Sequence, residues 1–184
     1  MRTALALSVA AIAGSVLLGA CGSRRSEPAV MPAAPDPAPQ IDPAGYVQSA
    51  GMSGLFEVES SQVATRRARS AEVRRFARMM VQDHTEANGK IRSAAAASHP
   101  PLQPPATLDP ERQEDLAALR SASRPEFDRL YMQGQVEGHQ KALELQQSYA
   151  DSGSDPGLRT LATEMTLMVR RHLEEAQTIL ASLD

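Results

Sequence analysis

The chain has 184 residues, with 19 basic and 22 acidic side chains and a formal net charge of −3 at pH 7. It contains no tryptophan, and only 3% of its residues are aromatic. A nucleic-acid-binding domain is therefore not expected, because such domains carry a basic excess and aromatic side chains that stack on bases. The single cysteine leaves no pair for a disulfide, so a packed core must stabilise the fold.

Residues 1–20 have the pattern of a secretory signal peptide. Arg2 supplies a positive charge, and the apolar run over residues 4–18 is too short and too rich in alanine for a membrane span. Cys21 follows two small residues, which resembles the lipobox of bacterial lipoproteins, whose cysteine is acylated; an ordinary signal peptide with an incidental cysteine is the alternative. Since Gly22 replaces the Asp associated with inner-membrane retention, we expect a lipid anchor at Cys21 in the outer membrane.

The residues that follow the cysteine predict a tether. Residues 21–43 contain six prolines, which are Pro28, Pro32, Pro35, Pro37, Pro39 and Pro43. Proline at this density blocks helices and sheet pairing and favours an extended, solvated backbone. We therefore expect residues 21–43 to link the anchor to one folded domain over residues 44–184.

The domain shows helical periodicity and no strand-like alternation. Apolar residues recur at three- and four-residue spacing in four long stretches, and a shorter stretch over residues 111–119 lies between the second and third. The predicted long helices begin after Asp42-Pro43, at Ser70 or Ala71, at Arg124-Pro125 and after Asp155-Pro156. This pattern predicts an all-α, up-down-up-down four-helix bundle with a short extra helix between helices 2 and 3.

One polar residue stands near the centre of each long helix, on or beside its apolar face. These residues are Glu57, His84, His139 and His172. Helices of similar length in an antiparallel bundle align their midpoints, so the four side chains are expected to share one layer of the core. Bundle cores build metal sites from inward-facing side chains in this way, and we therefore predict a candidate metal site.

The residues around the histidines restrict the chemistry of that site. Di-iron bundles carry a Glu three residues before two of their histidines, whereas Val81, Val136 and Val169 stand at those positions here. A ferroxidase or oxygenase is disfavoured for this reason, and no catalytic residue is assigned. Asp83, next to His84, is expected at the helix surface or paired with a neighbouring arginine, Arg74, Arg75 and Arg78 included.

Two methionines are candidate soft ligands. Met80 and Met168 each precede a histidine by four residues and therefore share its helix face. Imidazole with thioether suits copper, while one Glu with three His also suits zinc or mononuclear iron. Methionine at helical spacing is usually core filler, however, and Glu57 can pair with the histidines in a purely structural layer. Such a structural layer is expected to be fully hydrogen-bonded.

Five motifs connect the chain to a known family. In order they are LFEVESSQVA, VRRFARMMVQDH, FDRLYMQGQVEGHQ, DPGLRTLA and RRHLEEA. Together they resemble the bacterial envelope family called domain of unknown function 4142, over residues 45–183. The resemblance implies a ferritin-like fold in a signal-bearing or lipid-anchored protein and names no activity. The positions that match the family are Glu57, Asp83, His84, His139 and His172.

Three functional hypotheses follow. The first is a non-enzymatic, lipid-anchored outer-membrane protein facing the periplasm, whose Glu/His layer is structural or holds one ion of copper, zinc or iron. The second is a metal-dependent redox or metal-handling protein that uses copper or mononuclear iron. The third is an interaction module of the envelope that binds a partner through the outer surface of the bundle.

Overall fold

The computed structural model of the protein describes residues 42–183. Within them the chain forms α1 (Pro43–Arg67), α2 (Ala71–Ala97), α3 (Pro110–Ser121), α4 (Arg124–Ser152) and α5 (Pro156–Ser182). No strand occurs in this range, so the predicted all-α bundle with a short extra helix is confirmed. The expected signal peptide, the acylated Cys21 and the tether up to residue 41 lie outside the described residues.

The helix starts follow from local capping. The Asp42 carboxylate accepts a hydrogen bond from the Gly45 backbone N–H at 2.8 Å, and Asp155 accepts one from Leu158 N–H at 2.9 Å. In both helices a proline follows the capping residue, as the sequence predicted. Each such cap contributes about 0.5–2 kcal/mol to helix stability.

The helices α1 and α2 pack closely along a seam of small residues. At Gly54 a Cβ atom would lie only 2.0 Å from Asn88 Oδ1, so no larger residue fits there without movement of the asparagine. Both α1 and α5 also pack against α4, and α5 packs against α2. The α1 and α5 helices therefore lie at opposite corners of the bundle.

The directions of the long helices differ from the expected up-down-up-down order. Asp128, at the start of α4, accepts hydrogen bonds from the backbone N–H groups of Arg69 and Ser70, between α1 and α2. At the other end of the bundle, Tyr46 of α1 donates to Gln146 of α4 at 2.7 Å. Hence α2 and α4 run parallel, and the order is up-down-down-up. Residues 98–123, which include α3, return along the bundle as the single long crossover of ferritin-like folds.

The core consists of two apolar clusters with a polar layer between them. One cluster surrounds Phe76, Phe127 and Tyr131, and the other surrounds the stacked rings of Tyr46 and Tyr149. Along every long helix the predicted polar residue falls between the two clusters. The fold therefore places the candidate site at mid-height, enclosed by apolar side chains on both sides.

Within residues 42–183, none of the helices combines the length and apolar character needed to cross a bilayer.

Candidate metal centre

Three histidine rings from three helices meet in the polar layer. His84 of α2 is 7% exposed, His139 of α4 is 1% exposed, and His172 of α5 is fully buried. The ring centroids lie 5.6 Å apart for His84 and His139 and 5.5 Å apart for the other two pairs. One ligand nitrogen from each ring lies within 4.8 Å of the other two. The predicted convergence of the three histidines is therefore confirmed.

This spacing fits three imidazoles around one ion. A metal–imidazole bond of about 2.0–2.1 Å places the ring centre about 3.2 Å from the metal, so three coplanar ligands have ring centres about 5.5 Å apart. The observed centroid distances of 5.5 and 5.6 Å agree with this value. The rings thus form a nearly equilateral triangle whose centre-to-centre spacing is compatible with one transition metal, and on binding the ligand nitrogens, which lie within 4.8 Å of one another, would be about 3.5 Å apart.

Neighbouring groups fix the orientation of two of the rings. His172 Nε2 lies 2.9 Å from Asp83 Oδ2, which only accepts hydrogen bonds when ionised, so this nitrogen carries the proton. His139 Nδ1 lies 2.8 Å from the Gln135 carbonyl oxygen and carries its proton for the same reason. In each neutral ring the second nitrogen is left with its lone pair available. Metal-binding histidines are oriented by this kind of hydrogen bond.

One nitrogen of each of the three rings has no partner in the described part of the protein. His84 Nε2, His139 Nε2 and His172 Nδ1 are all buried, and none forms a hydrogen bond with residues 42–183. Leaving a buried polar atom unsatisfied costs about 1–3 kcal/mol. Protein groups of residues 42–183 therefore do not by themselves complete the hydrogen bonding of this layer. A metal ion bound by the three rings would satisfy all three nitrogens together.

Burial also keeps two of the rings neutral. Desolvation, followed by the proximity of His139 and His172, lowers the pKa of His84 well below its usual value. Desolvation lowers the pKa of His172 to about 4, although the hydrogen bond to Asp83 opposes this change. At neutral pH both rings are therefore in the unprotonated form that binds metals.

Glu57 reaches the layer from α1 but contacts the triangle from outside. It is 3% exposed, its Oε1 lies 3.9 Å from His139 Nδ1, and its Oε2 accepts a hydrogen bond from Gln135 Nε2 at 2.7 Å. Burial raises the pKa of this carboxyl, while His139 and Gln135 oppose the change. The predicted depth of Glu57 is confirmed. Its role as a metal ligand stays a prediction, since it faces the nitrogen of His139 that is already bonded to a carbonyl.

The two candidate methionines lie on different sides of the layer. Met80 is fully buried in the apolar cluster with Phe76. Met168 and His84 line the same small cavity, which has a volume of about 30 Å³. Ligation by either sulfur stays a prediction, and Met168 is the better placed because it shares a cavity with a histidine.

Asp83 lies beside an arginine, as expected, but this arginine belongs to another helix, and Asp83 also contacts a histidine. Its carboxylate reaches across to α5, where it bonds to His172 and lies 3.4 Å from Arg171, instead of pairing with an arginine of α2. The contact depends on the register between α2 and α5, which helical periodicity does not reveal. Gln135 was also missed as a site residue; its position one turn before His139 was the available signal. Both residues orient the side chains of the layer.

Comparison with known proteins places the chain in a family. The family model described as Domain of unknown function (DUF4142) matches residues 28–179. The chain belongs to this family. The resemblance found in its motifs is thereby confirmed. No curated protein shows significant sequence similarity to the chain.

Several solved structures share the fold of this DUF4142 protein. CopM in the Cu(II)-bound form has a TM-score of 0.67 at 14% identity, covering 79% of this chain and 100% of CopM. A DUF305 fragment from Deinococcus radiodurans has a TM-score of 0.66 at 15% identity, covering 76% and 95% of the two chains. A putative secreted DUF305 protein from Streptomyces coelicolor reaches 0.63 at 17% identity, covering 77% and 91%. At these identities the similarity shows the helical-bundle fold.

Proposed function

We propose that this chain is a metal-handling protein of the cell envelope, in which His84, His139 and His172 hold one transition-metal ion. The observation that carries the proposal is the set of three buried ring nitrogens without partners, on rings spaced for a single ion. The hydrogen bonds from His139 and His172 to their neighbours support it, because they leave a lone pair on the remaining nitrogen. In a purely structural layer these three nitrogens would have no protein partner among residues 42–183.

Copper is the ion that we favour. Neutral imidazoles suit copper and zinc, and a thioether such as that of Met168 selects for Cu(I). Protein structures of this fold support the choice, since CopM has been solved in Cu(II)-bound, Cu(I)-bound and silver-bound forms. No carboxylate of the described residues belongs to the group of three ligand atoms, which disfavours hard ions such as magnesium.

Holding or transferring the ion fits the space better than turnover of an organic substrate. The cavity beside His84, at about 30 Å³, has room for little more than a water molecule. The three rings themselves are between 0 and 7% exposed. We further propose that acylation of Cys21 anchors the protein in the outer membrane, with the bundle in the periplasm.

Metal analysis of the intact protein tests the proposal. The protein is purified without a polyhistidine tag, stripped with a chelator, offered copper, zinc or iron, and analysed for bound metal after desalting. We expect one copper per chain in the wild type and none in the His84→Ala/His172→Ala variant. His99→Ala is the matched control, because His99 is exposed after the end of α2 and should not affect loading. A wild-type protein that remains metal-free after all three challenges contradicts the proposal.

A further inference from the structure

A groove with a volume of about 520 Å³ lies between α1, α3 and α4, apart from the histidine triangle. This volume falls within the range of about 300–1,000 Å³ that is typical of small-molecule sites. Two glycines of α4 shape one wall. At Gly134 a Cβ atom would meet nothing within 4 Å, and at Gly138 it would lie 3.2 Å from Glu57 Oε1. The absence of side chains on these two successive turns opens the groove as far as Glu57.

The walls of the groove combine apolar and charged side chains. The apolar ones include Phe56 of α1, Leu119 of α3, and Leu130 and Leu145 of α4. The charged ones are Arg112 and Asp115 of α3 and Glu137 and Lys141 of α4. Leu130 is 43% exposed, and only Leu167 is also an exposed large apolar residue in the described part of the chain. The apolar side chains favour the hydrocarbon part of a ligand.

The floor of the groove carries two buried acceptor oxygens. Glu57 and Gln135 both line the groove and are 3% and 2% exposed. Gln135 Nε2 already donates to Glu57 Oε2, and Gln135 Oε1 has no hydrogen-bond partner among residues 42–183. The other carboxyl oxygen, Glu57 Oε1, lies 3.9 Å from His139 Nδ1, whose proton is directed at the Gln135 carbonyl. These two acceptors at the end of the groove can receive hydrogen bonds from the donor group of a ligand.

We propose that this groove binds a small organic amine, with its apolar body between α1, α3 and α4 and its ammonium group donating to Glu57 Oε1 and Gln135 Oε1. A carboxylate of the same shape should bind more weakly, because it would bring further acceptor oxygens to the same floor and because the carboxylates of Glu57, Asp115 and Glu137 outnumber the cations of Arg112 and Lys141 in the lining. The site goes beyond metal binding and does not depend on it, since the groove reaches Glu57 on the side of His139 that faces away from the unpartnered nitrogen.

Calorimetric titration of the metal-free, full-length protein tests the proposal in the presence of a chelator. The probes are cyclohexylmethylamine and cyclohexanecarboxylate, which have similar shape and opposite charge. We expect the amine to bind at one site per chain and the carboxylate to bind at least about tenfold more weakly. Because the protein carries no metal in this experiment, its outcome is independent of the metal proposal.

Three variants locate the site. Gly134→Leu places a bulky side chain at the groove. Since a Cβ atom there would meet nothing within 4 Å, the helix should fold normally, and amine affinity should fall at least about tenfold. Gly89→Leu is the matched control, because a Cβ at Gly89 of α2 also meets nothing within 4 Å, and its affinity should not change. Glu57→Gln preserves shape and should weaken amine binding by a similar factor. Absence of amine binding at about 10 mM, equal binding of both probes, or unchanged binding in a folded Gly134→Leu variant overturns the proposal.

Discussion

The hydroxyls of Tyr46 and Tyr131, one in each apolar cluster, and three histidine nitrogens between the clusters are all buried, but they differ in their partners. Tyr46 OH donates to Gln146 Oε1 at 2.7 Å, and Tyr131 OH shares a hydrogen bond of 2.8 Å with Ser61 Oγ. Within the described chain, by contrast, three ring nitrogens of the middle layer have no partner. The end clusters pair two of their three tyrosine hydroxyls, although Tyr149 OH also has no partner among residues 42–183, whereas each of the three histidine rings of the middle layer leaves one nitrogen unpartnered.

The largest effect should come from removing a ring at one end. Phe76 is fully buried in its cluster, so Phe76→Ala should lower the free energy of unfolding of the metal-free protein by about 3–5 kcal/mol. Leu167→Ala removes an apolar side chain that is 69% exposed, so it should change the free energy of unfolding by less than about 0.5 kcal/mol. Urea denaturation measures both values. Equal losses for the two variants would mean that the apolar ends do not supply the stability.

A smaller effect is expected from the carboxylate that orients His172. Asp83→Ala removes the 2.9 Å hydrogen bond to His172 Nε2 and should weaken copper binding by about 10–100-fold. Competition with a coloured copper chelator gives the affinity. Asp151→Ala, at an exposed position of α4, is the control and should bind copper as the wild type does. If the two variants bind copper equally, Asp83 does not hold the ring for a metal.

The pH dependence of stability gives the smallest expected effect. The pKa of His172 is about 4 in the folded protein and near 6.5 in the unfolded chain, so below pH 6.5 the unfolded state binds more protons. Above pH 6.5, protonation of His172 therefore does not lower the free energy of unfolding. As the pH falls from 6.5 towards 4 this free energy decreases, and below about pH 4 His172 causes no further decrease. Between about pH 7 and pH 5, His172 alone should lower the free energy of unfolding of the metal-free protein by about 1–2 kcal/mol.

His172→Gln isolates this contribution, because glutamine can still donate a hydrogen bond to Asp83 but does not titrate in this range. Urea denaturation at several pH values should show a shallower decrease for the variant than for the wild type. Parallel curves for the two proteins would contradict the assignment of a lowered pKa to His172.

Local features were predicted from the sequence because their causes are local. Helix capping by Asp42 and Asp155 depends on residues in the first turn of the same helix. The inward position of the three central histidines depends on the spacing of apolar residues within a few turns of each histidine. The crossover direction depends instead on distant contacts, such as the bonds from the Arg67 guanidinium to the Leu119 and Ala122 carbonyls at the end of α3. No periodicity encodes such contacts, so the sequence predicted the wrong order of helix directions.

The contacts that support the site were missed for a similar reason. The contact of Asp83 with His172 joins α2 to α5, and a shift of one helical turn between them would break it. The groove at Glu57 likewise requires the position of α3 over α1 and α4. Both depend on how the helices are placed against one another, and the sequence pattern specifies only which face of each helix is buried.

X-ray absorption at the copper edge of the loaded protein tests the metal centre most directly. The account predicts a first shell with three imidazole nitrogens at about 2.0 Å, with the multiple scattering of histidine rings, and the same spectrum for His99→Ala. A loaded wild-type protein whose spectrum shows no imidazole scattering, or whose spectrum is unchanged in His84→Ala/His172→Ala, would contradict it.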